Sequence, residues 1–381
     1  MNNHIDNNIN TEEKQNQSVL NNETTNTQRE LGFEILRIIA MFLITCIHLI
    51  NYGGFLGHAN SNFETFSLRF VYSIFLISVN IFVLISAYFM VKSKFKLKKL
   101  INLWLTVVFY SLSLYILCMI VFGEPFSFKE VVCCFAPIIR NRYWFFTDYI
   151  LIYLLSPFLN KILNNSSKNE LYCLCIFICI MSYFSLRFQI DSIIGIGAGY
   201  NLIWFISLYM IGGTLRLYTP TFKRYIWAII YVVSTLLILA GWYIPSDIFL
   251  YKYFKILPEY SNILVLIASI SIFMMFRNIV CKNSKSNKIV RFISSTTFGI
   301  YLFQEAMFFK PKLYFSILKV DNFYSLKTSV LYVLLFALSI YVLGFIYDCF
   351  RKFIFWICNK LILKIKHLFD LWGLKLYTSM C

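Results

Sequence analysis

The sequence predicts an all-α integral membrane protein with about ten transmembrane helices and both termini in the cytoplasm. Of the 381 residues, 59% are hydrophobic and 14% are charged, and the mean hydropathy of +0.68 lies far outside the soluble range. Apolar runs of about 20 residues, the length that a helix needs to cross the hydrocarbon core, recur along the chain. A transmembrane β-barrel would instead show short segments of alternating hydrophobicity.

The first 30 residues are crowded with Asn, Gln, Glu and Thr and show no apolar periodicity. Such a segment buries too little apolar surface to fold alone, so residues 1–30 are predicted to form a disordered cytoplasmic tail. The apolar run that follows is too long for a signal-peptide core and lacks a small-residue cleavage site. It is interpreted as an uncleaved first span, which opens a membrane domain over residues 31–348.

This domain is expected to contain ten spans, each an apolar run between polar loops. The spans are placed near residues 32–51, 68–90, 100–122, 144–161, 171–187, 201–217, 225–243, 260–277, 292–309 and 328–347. Lys and Arg are concentrated in the loops 91–99 and 277–291, whereas the loop 52–66 contains neither. Because cytoplasmic loops are enriched in Lys and Arg, this asymmetry places both termini inside.

One loop departs from the charge rule. Lys310, Lys312, Lys319 and Lys327 lie in the loop 310–327, on the predicted outer side of the membrane. Since short outer loops are usually poor in Lys and Arg, this segment could instead dip into the membrane.

The segment after the last span, residues 349–381, is predicted to be basic, amphipathic and cytoplasmic. In a helix it would place Lys360, Lys364 and His367 on one face, opposite an apolar face. Such a helix could lie on the inner leaflet, where anionic lipids attract basic side chains. A simple extension of the last span is the alternative.

The charge and cysteine content exclude two other classes of function. The formal net charge of +17 comes from loop residues, so membrane orientation explains it better than nucleic-acid binding does. Most of the eleven cysteines lie inside apolar runs, where they act as small hydrophobic residues. Their spacing is not that of a zinc site, so no metal is expected.

Two ionisable residues inside the first predicted span point to a functional site. Arg37 and His48 are eleven residues apart, which in a helix amounts to three turns plus roughly 20° and about 16 Å along the axis. The two side chains therefore share one face of the helix. Ionisable groups within a span cost several kcal/mol each and usually have a function.

Several motifs follow in order along the chain. They are Arg37 and His48 in the first span, Val79-Asn-Ile-Phe-Val-Leu-Ile-Ser-Ala-Tyr-Phe89 before a Lys-rich loop, Tyr143-Trp-Phe-Phe-Thr-Asp-Tyr149 with Leu155-Ser-Pro157, Trp204-Phe-Ile-Ser-Leu-Tyr-Met-Ile-Gly-Gly213 and Thr297-Phe-Gly-Ile-Tyr-Leu302. In order and spacing this set resembles the membrane acyltransferase-3 family over residues 30–347. Two positions depart from the family pattern. Ala87 replaces a usual Gly, and Gln304 stands where a second histidine is common.

The resemblance implies an O-acyltransferase that moves an acyl group, usually acetyl from cytoplasmic acetyl-CoA, to a hydroxyl of a surface glycan or lipid-linked sugar. On this interpretation Arg37 pairs with the phosphates of the acyl-CoA, and His48 takes the proton of the acceptor hydroxyl or carries the acyl group. A multi-pass protein of a bacterial plasma membrane, associated with polysaccharide-synthesis machinery, is implied as well.

Further candidates are assigned by predicted depth and chemistry. Asp148 and Glu305 are expected near His48, where either carboxylate could orient the imidazole. Substrate contacts are assigned to Arg69, Asn80, Ser86, Trp144, Tyr149, Tyr301 and Gln304. All of these except Gln304 have a structural alternative, since Arg often snorkels, Asn and Ser often join helices, and aromatic residues often pack or anchor at the interface. For Asp148 the alternative is an interfacial charge beside Trp144.

Another class of function also fits ten spans with buried charges. A transporter or flippase of a polysaccharide or lipid-linked sugar would need such a path, but paired halves and broken midplane helices are not evident in the sequence. A sensor or scaffold would not require Arg37 and His48 on one face.

Overall fold

The computed structural model describes residues 31–138, 142–188, 198–244, 259–277, 279, 284–324 and 328–380, with side chains at the C-terminal end described to residue 361. The predicted disordered tail, residues 1–30, lies outside the described residues, as do Lys282 and Lys327. The side chains of Lys364 and His367 lie outside them too. Within the described ranges, the regular secondary structure is entirely helical.

The helices follow one another through short loops. They are α1 (Leu31–Asn51), α2 (Asn62–Phe75), α3 (Ser78–Met90), α4 (Leu97–Phe122), α5 (Phe128–Phe135), α6 (Trp144–Asn165), α7 (Lys168–Phe188), α8 (Leu202–Leu217), α9 (Arg224–Gly241), α10 (Ile263–Phe276), α11 (Ser284–Ser294), α12 (Thr297–Glu305) and α13 (Ser329–Met380). Ser61, Ser127 and Asn201 cap α2, α5 and α8 by accepting backbone hydrogen bonds. Gly123, with a φ of 66°, ends α4 in the left-handed conformation that glycine adopts without strain.

Each predicted span coincides with one helix, or with two helices separated by a short break. Two helices, α2 and α3, form the second span, while α12 and the end of α11 occupy the ninth. Five described segments are long and apolar enough to cross a membrane: Leu31–Asn51, Asn62–Met90, Leu97–Phe122, Arg224–Gly241 and Ser329–Leu361. The chain is thus a helical membrane protein. The count of ten spans and the cytoplasmic termini stay predictions.

Helix α1 lies at the centre of the helices that form the site. It packs against α2, α3, α10, α11, α12 and α13. At its start, a side chain on Gly32 would collide with the backbone oxygen of Phe276, so glycine allows α1 and α10 to approach closely. This central position brings side chains from several helices to one face of α1.

The contact between α3 and α8 also depends on small residues. A Cβ atom on Gly212 would lie 2.8 Å from both the Cβ atom of Ala87 and the backbone oxygen of Leu84. Ala87 is fully buried in this contact. The departure of Ala87 from the family glycine is therefore accommodated by a glycine on the facing helix.

The lysine-rich loop after α12 is folded against the protein. It contains a single turn (Phe309–Pro311), a π-helical segment (Lys312–Ile317) and a 3-10 turn (Val320–Phe323). Leu313 and Tyr314 are buried within it, and Lys312 pairs with Glu124 at 3.0 Å. The side of the membrane on which this loop lies stays a prediction.

The C-terminal helix α13 continues without a break from Ser329 to Met380, past the predicted end of the last span. Lys360, its last described basic side chain, lies over the ring of Trp356. The backbone thus joins the predicted basic segment directly to the last span. Its proposed contact with the inner leaflet stays a prediction.

Candidate active site

A cavity of about 250 Å³ lies along one face of α1. Arg37, Met41, Ile44 and His48 line it from this helix, at the spacing of a single helical stripe. The opposite walls come from α3, α4, α6, α11 and α12 and from the turn between the last two. Arg37 and His48 therefore open onto one continuous space, as the sequence predicts.

His48 is held at one end of the cavity by a buried cluster of charged groups. Its Nδ1 atom lies 3.1 Å from Oε1 of Glu305, at the end of α12. The same carboxylate oxygen lies 2.9 Å from Nζ of Lys310. His48 is only 7% exposed, so these groups interact with little screening by water. Lys310 balances the charge of Glu305, which offsets the cost of burying the carboxylate.

Tyr52 completes the surroundings of this cluster. The Nζ atom of Lys310 lies 3.3 Å from the centre of the Tyr52 ring, and the same ring is in edge contact with His48 at 5.6 Å. A cation over an aromatic face is attracted by the ring quadrupole. Lys310 is thus positioned by two groups, the carboxylate of Glu305 and the ring of Tyr52.

Arg37 lies at the other end of the stripe. Its Nη1 atom is 3.0 Å from Oε1 of Glu34, and its guanidinium lies 5.7 Å from the Phe89 ring centre. Ser294 donates a hydrogen bond to the second oxygen of Glu34. The Arg37 side chain is 27% exposed, and a guanidinium carries five N–H donors. Donors therefore remain for an anionic ligand.

A second, open depression adjoins this end of the cavity. It is lined by Lys96, Lys98 and Lys99 and by the first turns of α4, and it has a volume of about 360 Å³. Leu103 lines both the depression and the cavity. In the sequence, these lysines indicate only the orientation of the chain. The structure adds that they flank the Arg37 end of the cavity.

The middle of the cavity is largely aromatic. Trp144 and Tyr149 from α6, Tyr301 from α12 and Ser86 from α3 all line it, so the structure brings together four of the predicted substrate contacts. Phe145 packs against Tyr301, with ring centres 5.6 Å apart. Such walls suit a thin apolar chain with a few polar groups.

A family profile described as an acyltransferase domain, acyltransferase-3, matches residues 30–348. The chain belongs to the acyltransferase-3 family. It is therefore an acyltransferase of the membrane, with an acyl donor and an acyl acceptor as substrates. No curated relative and no solved structure shows significant similarity to it. Within the described ranges, His, Cys, Asp and Glu residues do not form a cluster that could hold a metal ion.

Asp148 is not brought to His48 in this acyltransferase-3 protein. It is 8% exposed on α6 and does not line the cavity. No described residue pairs with its carboxylate, and Glu305 occupies the position beside His48. The sequence predicts a similar depth for both carboxylates, but the rotation of α6 about its axis directs Asp148 away from the imidazole.

Asn80, Arg69 and Gln304 also lie outside the cavity lining of the acyltransferase. The Asn80 amide joins helices, since it donates to the Tyr260 carbonyl at 2.8 Å and accepts from Trp204 at 3.1 Å. Arg69 lies over the rings of Trp242 and Tyr243. Gln304 is fully buried, and its side-chain nitrogen lies 3.8 Å from the sulfur of Met41, which lines the cavity. For Asn80, these contacts correspond to the structural alternative, an amide that joins helices.

Proposed function

We propose that this acyltransferase takes an acetyl group from cytoplasmic acetyl-CoA, or from a related acyl-CoA, and transfers it to a hydroxyl of a cell-surface or lipid-linked glycan. The observation that carries the proposal is the single cavity lined by Arg37 at one end and His48 at the other. The roughly 16 Å between them along α1 is comparable to the length of a pantetheine arm.

The donor is bound by its phosphates at the Arg37 end. Arg37 supplies a guanidinium, which pairs well with phosphate oxygens, and Lys96, Lys98 and Lys99 add positive charge beside it. The pantetheine arm lies between the aromatic walls formed by Trp144, Tyr149 and Tyr301. In this pose the thioester reaches the level of His48.

His48 performs the proton transfer at the other end. As a base, the neutral imidazole takes the proton of the acceptor hydroxyl while its oxygen attacks the thioester carbonyl, and the imidazolium then protonates the departing CoA thiolate. In the covalent variant the imidazole attacks the thioester carbonyl and CoA leaves as the thiolate; the acceptor hydroxyl then displaces the imidazole from the acyl group, and the imidazole passes the hydroxyl proton to the thiolate. In both, Glu305 orients the ring and stabilises its cationic form.

Ser86 and the cluster around Glu305 assist this chemistry. Ser86 lines the cavity and can donate a hydrogen bond to the oxyanion that develops on the thioester carbonyl. Lys310 compensates the charge of Glu305, so that the carboxylate orients the imidazole without holding it permanently protonated. These assignments give each charged group beside His48 a role in the transfer.

The test is the acetyl content of purified surface glycan from cells that express wild type, His48→Ala or His58→Ala at matched levels. His58 is an exposed histidine that stacks on Tyr324 outside the cavity. We expect His48→Ala to lower acetylation at least about a hundredfold, because it removes the base, and His58→Ala to retain it. Equal acetyl content combined with reduced polymer export would instead support the transporter hypothesis.

A further inference from the structure

Two arginines converge on one buried phenol at the ends of three helices, outside the lining of the cavity. Nη1 of Arg216, in the last turn of α8, donates to the Tyr88 hydroxyl at 2.9 Å, and Nε of Arg277, directly after α10, donates to the same oxygen at 3.2 Å. The Arg216 guanidinium also lies 4.6 Å from the Tyr88 ring centre. Tyr88, which is 4% exposed, is held by the rings of Phe33 and Phe273.

Several N–H and O–H groups of this cluster donate no hydrogen bond. The Tyr88 oxygen accepts two bonds, so its own O–H remains to be donated, and each guanidinium keeps further N–H groups. No carboxylate in the described part of the chain pairs with Arg216 or Arg277. Three convergent donor groups and two positive charges therefore lie together without a negative partner.

Helix-end effects account for only part of this arrangement. A cation near a helix C-terminus is stabilised by the helix dipole, and basic residues are common at cytoplasmic ends of spans. These effects explain why an arginine lies at each of the two ends. They do not explain why both guanidiniums approach the same oxygen, where their like charges repel.

We propose that Tyr88, Arg216 and Arg277 form a binding site for a phosphoryl group, separate from the catalytic cavity. Arginine recognises phosphate oxygens through paired N–H donors, and the phenol O–H supplies one more. None of the three residues lines the cavity. The phosphoryl group belongs to an anionic phospholipid headgroup or to a soluble phosphate, and the predicted orientation places this site on the cytoplasmic side.

The site is tested by thermal unfolding of the purified full-length protein in detergent at 0.3 M NaCl, where exposed charges are screened. The protein is titrated with phosphatidylglycerol, with neutral phosphatidylcholine and with soluble glycerol phosphate. Stabilisation as a function of concentration gives an apparent affinity for each. Wild type is compared with Arg216→Gln/Arg277→Gln and with Lys223→Gln/Arg224→Gln, which removes two exposed charges at the start of α9.

We expect Arg216→Gln/Arg277→Gln to weaken phosphoryl binding at least about tenfold, and the control to change it less than about twofold. Stabilisation by phosphatidylglycerol alone identifies a lipid site, and equal stabilisation by glycerol phosphate identifies a soluble ligand.

Unchanged binding in the double variant, or an equal loss in the control, overturns the proposal. Should the double variant not fold, Tyr88→Phe keeps the ring, removes the hydroxyl and is expected to weaken the same binding. Acyl transfer is not the readout, so this result is independent of the proposed function.

Discussion

At the scale of single residues, Lys310 shows what an exception to a sequence rule can indicate. It belongs to the loop that violated the expected charge asymmetry, and the structure places its ammonium group 2.9 Å from Glu305. A buried carboxylate needs a compensating charge, and Lys310 supplies it next to His48. The excess of lysine in this loop was thus the sequence signal for a residue of the site.

Replacement of Lys310 tests this interpretation. In Lys310→Met, the Glu305 carboxylate is left with the imidazole as its remaining partner, so the cationic form of His48, which cannot act as a base, gains stability relative to wild type. We expect acyl transfer at pH 7 to fall at least about tenfold and to recover partly at higher pH. Among the described residues, Glu305 and Tyr52 contact the imidazole, and Lys310 acts on it through both of them.

The matched control is Lys312→Met. Lys312 lies in the same loop but pairs with Glu124, outside the cavity lining. We expect this variant to keep the wild-type pH profile and most of its activity. Equal pH profiles of acyl transfer in Lys310→Met and Lys312→Met would show that Lys310 stabilises the loop rather than affecting His48.

Substitutions of Arg37 and Arg69 are expected to affect donor binding differently. Arg37 lines the cavity, whereas Arg69 lies over Trp242 and Tyr243 and does not. If Arg37 holds the donor phosphates, Arg37→Gln raises the KM for acetyl-CoA at least about tenfold with a smaller change in kcat, because the contact is made in ground and transition states alike. Arg69→Gln is expected to leave this KM unchanged. Normal acetyl-CoA affinity in Arg37→Gln would remove the donor assignment.

At the scale of secondary structure, the close contact between α3 and α8 positions one wall of the cavity. Ser86 and Phe82 lie on α3, within five residues of Leu84 and Ala87, the two residues that would touch a side chain at Gly212. Because α8 presents glycine there, the two backbones approach more closely than larger side chains would allow.

This contact predicts a cost for adding a single methyl group. In Gly212→Ala the new Cβ would lie 2.8 Å from the Leu84 backbone oxygen, so α3 or α8 must shift. We expect a loss of about 1–3 kcal/mol in stability, measured as a lower unfolding temperature of the detergent-purified protein. In Gly57→Ala the nearest atom lies 3.7 Å away, and that variant is expected to unfold like wild type. Similar unfolding temperatures for both variants would contradict the packing argument.

At the scale of the whole molecule, the proposed transfer depends on the orientation of the chain in the membrane. The predicted topology places the Lys96 to Lys99 depression and Arg37 on the cytoplasmic side, where acyl-CoA is available, and His48 towards the outside. Reversed insertion would direct the basic end of the cavity away from its donor. The orientation is therefore a condition for the proposed function.

Accessibility of single cysteines to a membrane-impermeant maleimide tests the orientation in a background without native cysteines. Asn60, Lys98 and Ser316 are exposed in the structure. We expect Asn60→Cys and Ser316→Cys to react in intact cells, and Lys98→Cys to react only after permeabilisation. Reaction of Lys98→Cys in intact cells would reverse the assigned direction, and protection of Ser316→Cys would indicate that the loop after α12 enters the membrane.

The sequence alone determined the helical membrane class, the approximate position of the apolar helices and the common face of Arg37 and His48. Hydropathy and helical periodicity are local properties, readable from neighbouring residues. The motifs also pointed to the acyltransferase-3 family, which the profile match confirms. Ser86, Trp144, Tyr149 and Tyr301 were chosen by the same local patterns, and the structure places all four on the cavity.

Only the tertiary structure decided which groups meet. Glu305 and Asp148 have similar predicted depths, yet Glu305 reaches His48 and Asp148 does not, and Lys310 joins the pair from a loop. Asn80, an equally plausible polar contact, is used to connect helices. Contacts between helices distant in sequence depend on how each helix is rotated about its axis, and hydropathy does not specify that rotation because the bilayer is uniform around a span.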